Sequence, residues 1–254
     1  MKRVHLFEFE DFSWFPAWIR NCITRYIAAL HELLDTQTIL TPLIRRLLEI
    51  TPNKKLIDLC SGSGGPLPGV VEALRAQGVD LELTMSDLYP NHEIIEQCRS
   101  RGIHYEKNPV DATAVRFDGA RILICSFHHM PPDLARSVLK NAYEEKKPLC
   151  IFEITDNAWP ILLFWTVMPF AFGLVLLLTP RIGGVTWQQI VFTYLVPIVP
   201  LVVAWDAAIS NVRTYTLADM AALTSGLDDG YVWEGGKING RGPGKMLYFL
   251  GQPT

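Results

Sequence analysis

One short segment constrains this chain more than any other. An apolar run, Leu56-Ile57-Asp58-Leu59-Cys60, feeds straight into Ser61-Gly62-Ser63-Gly64-Gly65, and helix-like sequence follows at residues 68–77. Glycines at a strand-to-helix turn allow a tight bend and let a ligand approach the backbone. The same turn aims helix N-terminal amides at whatever binds there. Taken alone, it suits a bound dinucleotide or a bare change of chain direction equally well.

The sequence downstream alternates. Strand-like runs at residues 55–60, 81–86, 104–107, 121–127 and 149–154 are separated by helical patterns at 68–77, 92–101 and 132–143. Strand and helix in alternation at this spacing predict a parallel sheet covered on both faces. Upstream, Trp18, Ile19, Cys22, Ile23, Tyr26, Ile27, Leu30, Leu33 and Leu34 recur at helical spacing, with Pro16 suited to a first turn. Thr41-Pro42 is expected to open a second helix ending at Ile50. Near the end, Thr216 and Asp219 form a capping pattern, and residues 231–237 and 245–250 read as two strands joined by a Gly-rich turn at 239–244.

Three acidic positions add chemistry to the glycine turn. Asp58 lies inside the first strand, where a carboxylate needs partners if buried. Asp87 ends the second strand, 23 residues after Gly64, where a carboxylate can bind both ribose hydroxyls. Asp111-Ala112 follows the third strand, in reach of an adenine amino group. Here the chain resembles the class I S-adenosylmethionine-dependent methyltransferases, whose first motif is an acidic residue followed by Gly-x-Gly-x-Gly or a near variant. In this chain the motif stands as Asp58-Leu59-Cys60-Ser61-Gly62-Ser63-Gly64, with Cys60 in place of the first glycine. The resemblance covers roughly residues 40–155 and 210–254. It implies a Rossmann-like α/β fold with a mainly parallel seven-stranded sheet and an antiparallel last strand. It also implies S-adenosyl-L-methionine as cofactor. The turn residues Asp58, Ser61, Gly62 and Gly64 would contact it, with Asp87 and Leu88 at the ribose, Asp111 and Ala112 at the adenine, and Ser126 lining the pocket.

The fourth strand leads into Cys125-Ser126-Phe127-His128-His129-Met130-Pro131-Pro132. Ligands of open α/β sheets bind beyond the carboxyl ends of the strands, so His128 and His129 are candidate catalytic residues, either taking a proton from an acceptor or orienting it. The plainer alternative is one histidine capping the next helix and the other forming a pocket wall. Glu153, at the end of the fifth strand, either binds an acceptor or pairs with Arg213; Asp156 lies near the same pocket. The aromatic segment 9–16 serves as a lid over the site or as an anchor for the first helix.

Between the fifth strand and the terminal strand pair the pattern breaks. No charged residue occurs at 157–180 or at 182–205. Each stretch is about 24 residues, against about 20 needed to cross a bilayer's hydrocarbon core. Trp159, Trp165, Trp187 and Trp205 lie mostly near the stretch ends, as interface aromatics do. A membrane-spanning hairpin, a hairpin entering one leaflet, and a buried or homodimer-forming helical pair all suit these stretches, and membrane association is favoured over the dimer. The expected organisation is an N-terminal helical lid at 1–50, a catalytic domain at 51–156 and 207–254, and an apolar hairpin at 157–206.

A net charge of −3 and isolated basic pairs argue against nucleic-acid binding. Five widely spaced cysteines with no Cys-x-x-Cys pair suggest neither a disulfide framework nor a cysteine-built metal site, and no metal site is expected. They favour a reducing compartment, hence a catalytic domain on the cytoplasmic face of a membrane. Methyl transfer to a small, lipophilic acceptor is the leading functional expectation. A non-catalytic membrane or assembly anchor competes with it. An NAD(P)-dependent oxidoreductase is disfavoured by Asp58, which stands where that fold carries an apolar residue.

Overall fold

A computed structural model describes residues 1–91, 94–158, 164–242 and 244–254. Five strands run parallel: β1 (Lys55–Leu59), β2 (Glu82–Ser86), β3 (His104–Tyr105), β4 (Ala120–Ile124) and β5 (Leu149–Glu153). The long β6 (Tyr231–Asn239) and β7 (Lys245–Pro253) form a hairpin, and β7 joins the sheet antiparallel to β5. The seven strands are ordered β3-β2-β1-β4-β5-β7-β6. This is the mainly parallel sheet with an antiparallel last strand that the sequence implies. Because β1 has β2 on one side and β4 on the other, the direction of winding reverses between β1 and β4, and in open sheets of this kind ligands bind beyond the carboxyl ends at such a point.

Helices cover both faces. On one, α2 (Thr36–Glu49), α3 (Leu67–Ala76) and α4 (Ile95–Ser100) bury Ile44, Leu47, Val70, Leu74 and Cys98 with Leu56, Met85 and Ile122. On the other, α5 (Pro132–Glu144) and α9 (Leu217–Leu223) bury Val138, Leu139, Met220 and Leu223 with Ile57, Leu123 and Phe249. The helix expected to open at Thr41-Pro42 begins instead at Thr36, and Pro42 lies inside α2. Pro42 has no N–H to donate to the preceding turn. The apolar face Leu40, Leu43, Ile44, Leu47 and Leu48 is nonetheless continuous across it and fully buried, which outweighs one lost backbone bond. The helix expected at 92–101 is observed as α4; His92 and Glu93 lie outside the described residues.

The apolar stretches fold as α6 (Phe164–Leu178), the short α7 (Trp187–Ile190), a π-helical turn at Val191–Leu195, and α8 (Ile198–Arg213). Their inner faces pack on α1 (Ala17–Leu33): Ile19, Cys22, Ile23 and Tyr26 meet Val175, Leu178, Val199 and Val203 in a third core of their own. The boundary expected at residue 206 falls inside α8, which continues unbroken to Arg213 and reaches the catalytic side of the sheet. Among the described residues no single helix is long and apolar enough to cross a membrane; Trp187–Leu195 with Ile198–Arg213 has the length and composition but is bent by 79°. Trp187 is exposed, whereas Trp205 packs on Phe7 and donates to its carbonyl. Trp159 and the Trp165 side chain lie outside the described residues, as does Pro243 of the terminal turn.

Candidate active site

The sheet brings the predicted cofactor residues to one edge. After β1 the backbone turns through Cys60 and Gly62 in the left-handed region, at φ +58° and +51°. Cys60 therefore keeps the conformation that a glycine would adopt, despite its side chain, a geometry costing about 1 kcal/mol for a non-glycine residue. Its thiol is pushed up to about 12 by burial and by the carboxylates around it, so it stays protonated. Gly64 has φ +89°, and a Cβ there would lie 2.6 Å from Cε of Met85.

Hydrogen bonds fasten the turn to its neighbours. Ser61 N–H donates to Ser86 O at 3.0 Å, and its hydroxyl donates to Asp58 O while accepting from Ser86 N–H. The Gly62 amide donates to Asp87 Oδ2 at 2.9 Å, and the other carboxylate oxygen accepts from Tyr89 N–H. Tyr105 donates its hydroxyl to Gly62 O. The loop after β3 is drawn in the same way, since Val110 N–H donates to Asp87 O. Asp111 Oδ1 accepts from both the amide and the hydroxyl of Thr113, and Ala112 is buried. Asp58, Ser61, Gly62, Gly64, Asp87, Leu88, Asp111 and Ala112 thus share one end of the sheet. Ser61 spends its hydroxyl on the loop itself.

Two groups at this edge stand out. The Asp58 carboxyl is buried with no ion-pair partner among the described residues; burial, helped by the charge of Asp87 and opposed by a hydrogen bond from Ser61, pushes it up to about 8. The Ser126 hydroxyl, after β4, is buried without a hydrogen-bond partner. Cys125, beside it, also adopts a left-handed φ of +51°. Non-glycine strain at strand ends is commonest where a ligand site demands it. A glycine cradle, an anchored carboxylate, an uncompensated buried carboxyl and an orphaned hydroxyl fit a cationic nucleoside such as S-adenosylmethionine.

Past Ser126 the chain forms a 3-10 turn, Phe127–His129, which sets the two imidazoles side by side with ring centres 4.3 Å apart. Neither caps α5, whose first turn has no side-chain cap. His128 is buried. Its Nδ1 lies 2.8 Å from Glu153 Oε2, and Glu153 Oε1 accepts the His128 amide. The Glu153–Arg213 pair, one of the two roles expected of Glu153, gives way to a Glu153–His128 contact, because the end of β5 lies beside the end of β4. Burial opposes a charge on His128, but Glu153 and Glu8 outweigh it and its pKa is raised. His129, one-third exposed, has Nδ1 2.9 Å from Asp11 Oδ1.

Arg213, at the end of α8, closes the cluster. It reaches Glu8 and Asp11 from Nη1, at 3.2 and 2.6 Å, and donates to the carbonyls of His128 and His129. Burial works against ionisation of Asp11, yet bonds from His129 and Arg213 hold it well below the usual carboxylate range. Sequence points to Arg213 only as an alternative partner for Glu153 and to Asp11 only within the segment 9–16; it does not point to Glu8. The acidic density of Glu8-Phe9-Glu10-Asp11 in an otherwise aromatic segment was the available signal. The N-terminal segment is pinned across the mouth by Val4 N–H on Val212 O, Phe9 N–H on Asp206 Oδ1, and Arg3 on His128 O. Asp156 pairs with Lys237 at 2.7 Å, which gives it a structural partner.

The chain has a Rossmann-like α/β fold with a mainly parallel seven-stranded sheet and an antiparallel last strand, as the methyltransferase resemblance implies. No family model matches the sequence, and no curated protein matches it. Among solved structures it is similar to magnesium protoporphyrin IX methyltransferase from Synechocystis PCC 6803 with bound S-adenosylhomocysteine, at 12% identity and TM-score 0.49, covering 86% of this chain and 84% of that one. It is also similar to the mitomycin 7-O-methyltransferase MmcR at 11% identity and TM-score 0.45, covering 85% of this chain but only 54% of that one. A Rhodobacter sphaeroides protein described as a zinc-dependent alcohol dehydrogenase is similar at 11% identity and TM-score 0.47, covering 83% and 89%. The fold assignment rests on strand order and direction, not on these likenesses.

Proposed function

We propose that this protein is an S-adenosylmethionine-dependent methyltransferase acting on a small, lipophilic acceptor at the cytoplasmic face of a membrane. The observation that carries the reading is the bond between Asp87 and the Gly62 amide, which ties the glycine turn to the acidic end of β2 and supports their use together by one nucleoside.

When bound, the cofactor supplies an electrophilic methyl group on a sulfonium. The protein's part is mainly to hold and align. Asp87 would take the ribose hydroxyls with the lone pairs that Gly62 and Tyr89 leave, and Asp111 would take the adenine amino group. Asp58 would ionise against the ligand's positive charge. Ser126 would donate or accept at the pocket floor. His128 and His129 stand on the acceptor side, beyond β4. The N-terminal segment, pinned on Val212, Asp206 and His128, would keep bulk water from the reacting groups.

The membrane element of this reading is supported by the exposed apolar side chains Phe170, Leu177, Trp187, Ile190, Leu195 and Leu201 on α6 to α8. An apolar surface of this kind next to a catalytic cleft suits shallow insertion into one leaflet and an acceptor drawn from it. Calorimetric titration with S-adenosylmethionine and S-adenosylhomocysteine tests the core of the proposal. Micromolar binding that disappears in Asp87→Ala supports it; no heat from either ligand with folded protein rules it out.

A further inference from the structure

We propose that Glu8, His128 and His129 form a binding site for one divalent transition-metal ion of the zinc class. Nε2 of His128, Nε2 of His129 and a carboxylate oxygen of Glu8 all lie within 4.8 Å of one another. His128 Nε2 is 3.7 Å from Glu8 Oε1, and His129 Nε2 is 3.7 Å from Glu8 Oε2. These separations are too long for hydrogen bonds. Ligand atoms about 2.0–2.1 Å from a tetrahedral ion lie about 3.4 Å from each other, so an ion held by one Glu8 oxygen or bridged by both draws the two imidazoles and the carboxylate together from separations of up to 4.8 Å.

The surroundings are what a metal site needs. A ligating imidazole commonly donates its other ring N–H to a carboxylate, which fixes the ring and leaves the free nitrogen as ligand. Both histidines have that arrangement: Nδ1 of His128 faces Glu153 at 2.8 Å, and Nδ1 of His129 faces Asp11 at 2.9 Å. An independent observation points into the same space. Glu8 is 2% exposed, and its Oε1 accepts no hydrogen bond, although a buried carboxylate oxygen is costly to leave so. Arg213 Nη1 stands 3.2 Å from that oxygen and holds the carboxylate in place. Ser210 donates to Oε2. Three carboxylates, Glu8, Asp11 and Glu153, converge here against the guanidiniums of Arg213 and Arg3, so with both imidazoles neutral, as ligation requires, the cluster has an acidic excess.

Two imidazoles and one carboxylate select zinc, cobalt or nickel over magnesium or calcium, which prefer an all-oxygen shell. Three protein ligands leave a position for water or for an oxygen of a bound molecule, as in catalytic rather than structural zinc sites. The ion would also fasten the N-terminal segment to the turn after β4. Sequence spacing conceals the site because its ligands lie 120 residues apart, at Glu8 and at His128.

The test is metal binding by the full chain, which does not depend on methyl transfer. Protein stripped with a chelator is titrated with zinc chloride by calorimetry, with melting curves and cobalt(II) absorption in parallel. We expect one ion per chain, a melting temperature raised by about 5 °C under saturating zinc, and a tetrahedral cobalt spectrum. His129→Ala removes a partly exposed ligand and should weaken binding more than about 100-fold, and Asp11→Asn, acting through His129, by about 10–100-fold. Magnesium and calcium should give no heat. Absence of zinc binding by folded wild-type protein overturns the site. So does binding that survives unchanged in both His129→Ala and Glu8→Gln, because the ion then sits elsewhere.

Discussion

The carboxylate of Asp87 accepts the Gly62 amide at 2.9 Å, so the acidic end of β2 and the glycine turn after β1 are one unit. Asp87→Ala removes both the ribose acceptor and the anchor of the turn. Binding of S-adenosylhomocysteine is expected to fall at least about 100-fold, about 3 kcal/mol, from two charge-assisted hydrogen bonds. Isothermal calorimetry reads the loss, and circular dichroism checks that the fold survives.

The two motif glycines separate by geometry. Gly62→Ala meets no atom within 4 Å and suffers only the left-handed φ of +51°, a cost of about 1 kcal/mol. Gly64→Ala sets its Cβ 2.6 Å from Cε of Met85 at a φ of +89°, so it adds backbone strain and forces the buried end of the Met85 side chain to shift. Urea unfolding should give about 2–4 kcal/mol for Gly64→Ala, well above the Gly62→Ala value. Equal losses would contradict the packing of Met85 against the turn.

Asp58 gives a pH dependence of definite sign. Its carboxyl is pushed up to about 8 in the fold by burial, against about 3.9 in an unfolded chain. The native state therefore holds this proton more tightly. The stability it confers is present in full below about pH 4 and is lost progressively as pH rises to about 8, by on the order of 5 kcal/mol. Asp58→Asn should flatten that part of the stability profile in chemical denaturation between pH 5 and 8. A cationic ligand favours the ionised carboxyl, so cofactor binding below pH 8 should release protons. Calorimetry in two buffers of different ionisation enthalpy measures that release directly.

Arg213 compensates two acidic side chains and two carbonyls while 1% exposed. Arg213→Met leaves Glu8 and Asp11 without that cation and should cost about 3–5 kcal/mol. Arg213→Lys should recover little, because a single ammonium cannot reproduce the spread of a guanidinium fork. Glu8→Gln in the Arg213→Met background should restore part of the loss. Denaturant midpoints of the three variants provide the comparison.

Trp187 and Leu195 are the most exposed large side chains of α7 and the turn after it. If this surface enters a leaflet, Trp187→Ser with Leu195→Glu should abolish flotation with phospholipid vesicles while leaving S-adenosylhomocysteine binding unchanged. Flotation equal to wild type would remove the membrane element and leave the methyl-transfer reading standing.

The glycine turn, the alternation of strands and helices, and the carboxylates Asp58, Asp87 and Asp111 were legible in sequence because each depends on local spacing along one strand and its turn. The terminal strand pair was legible for the same reason, and the family resemblance implied an antiparallel last strand; its place beside β5 came from the tertiary structure. What sequence could not reveal is which distant charges meet. Glu153 sits by His128 rather than Arg213 because β5 adjoins β4, and Arg213 reaches Glu8 and Asp11 because α8 runs unbroken past residue 206. The apolar stretches announced burial but not its direction. Packing on α1 buried one face of them, and the bend between Leu195 and Ile198 fixed which side chains remained exposed. Local backbone preference and hydrophobic period are written into neighbouring residues. The pairing of buried charges is decided only when tertiary contacts remove water from groups far apart in the chain.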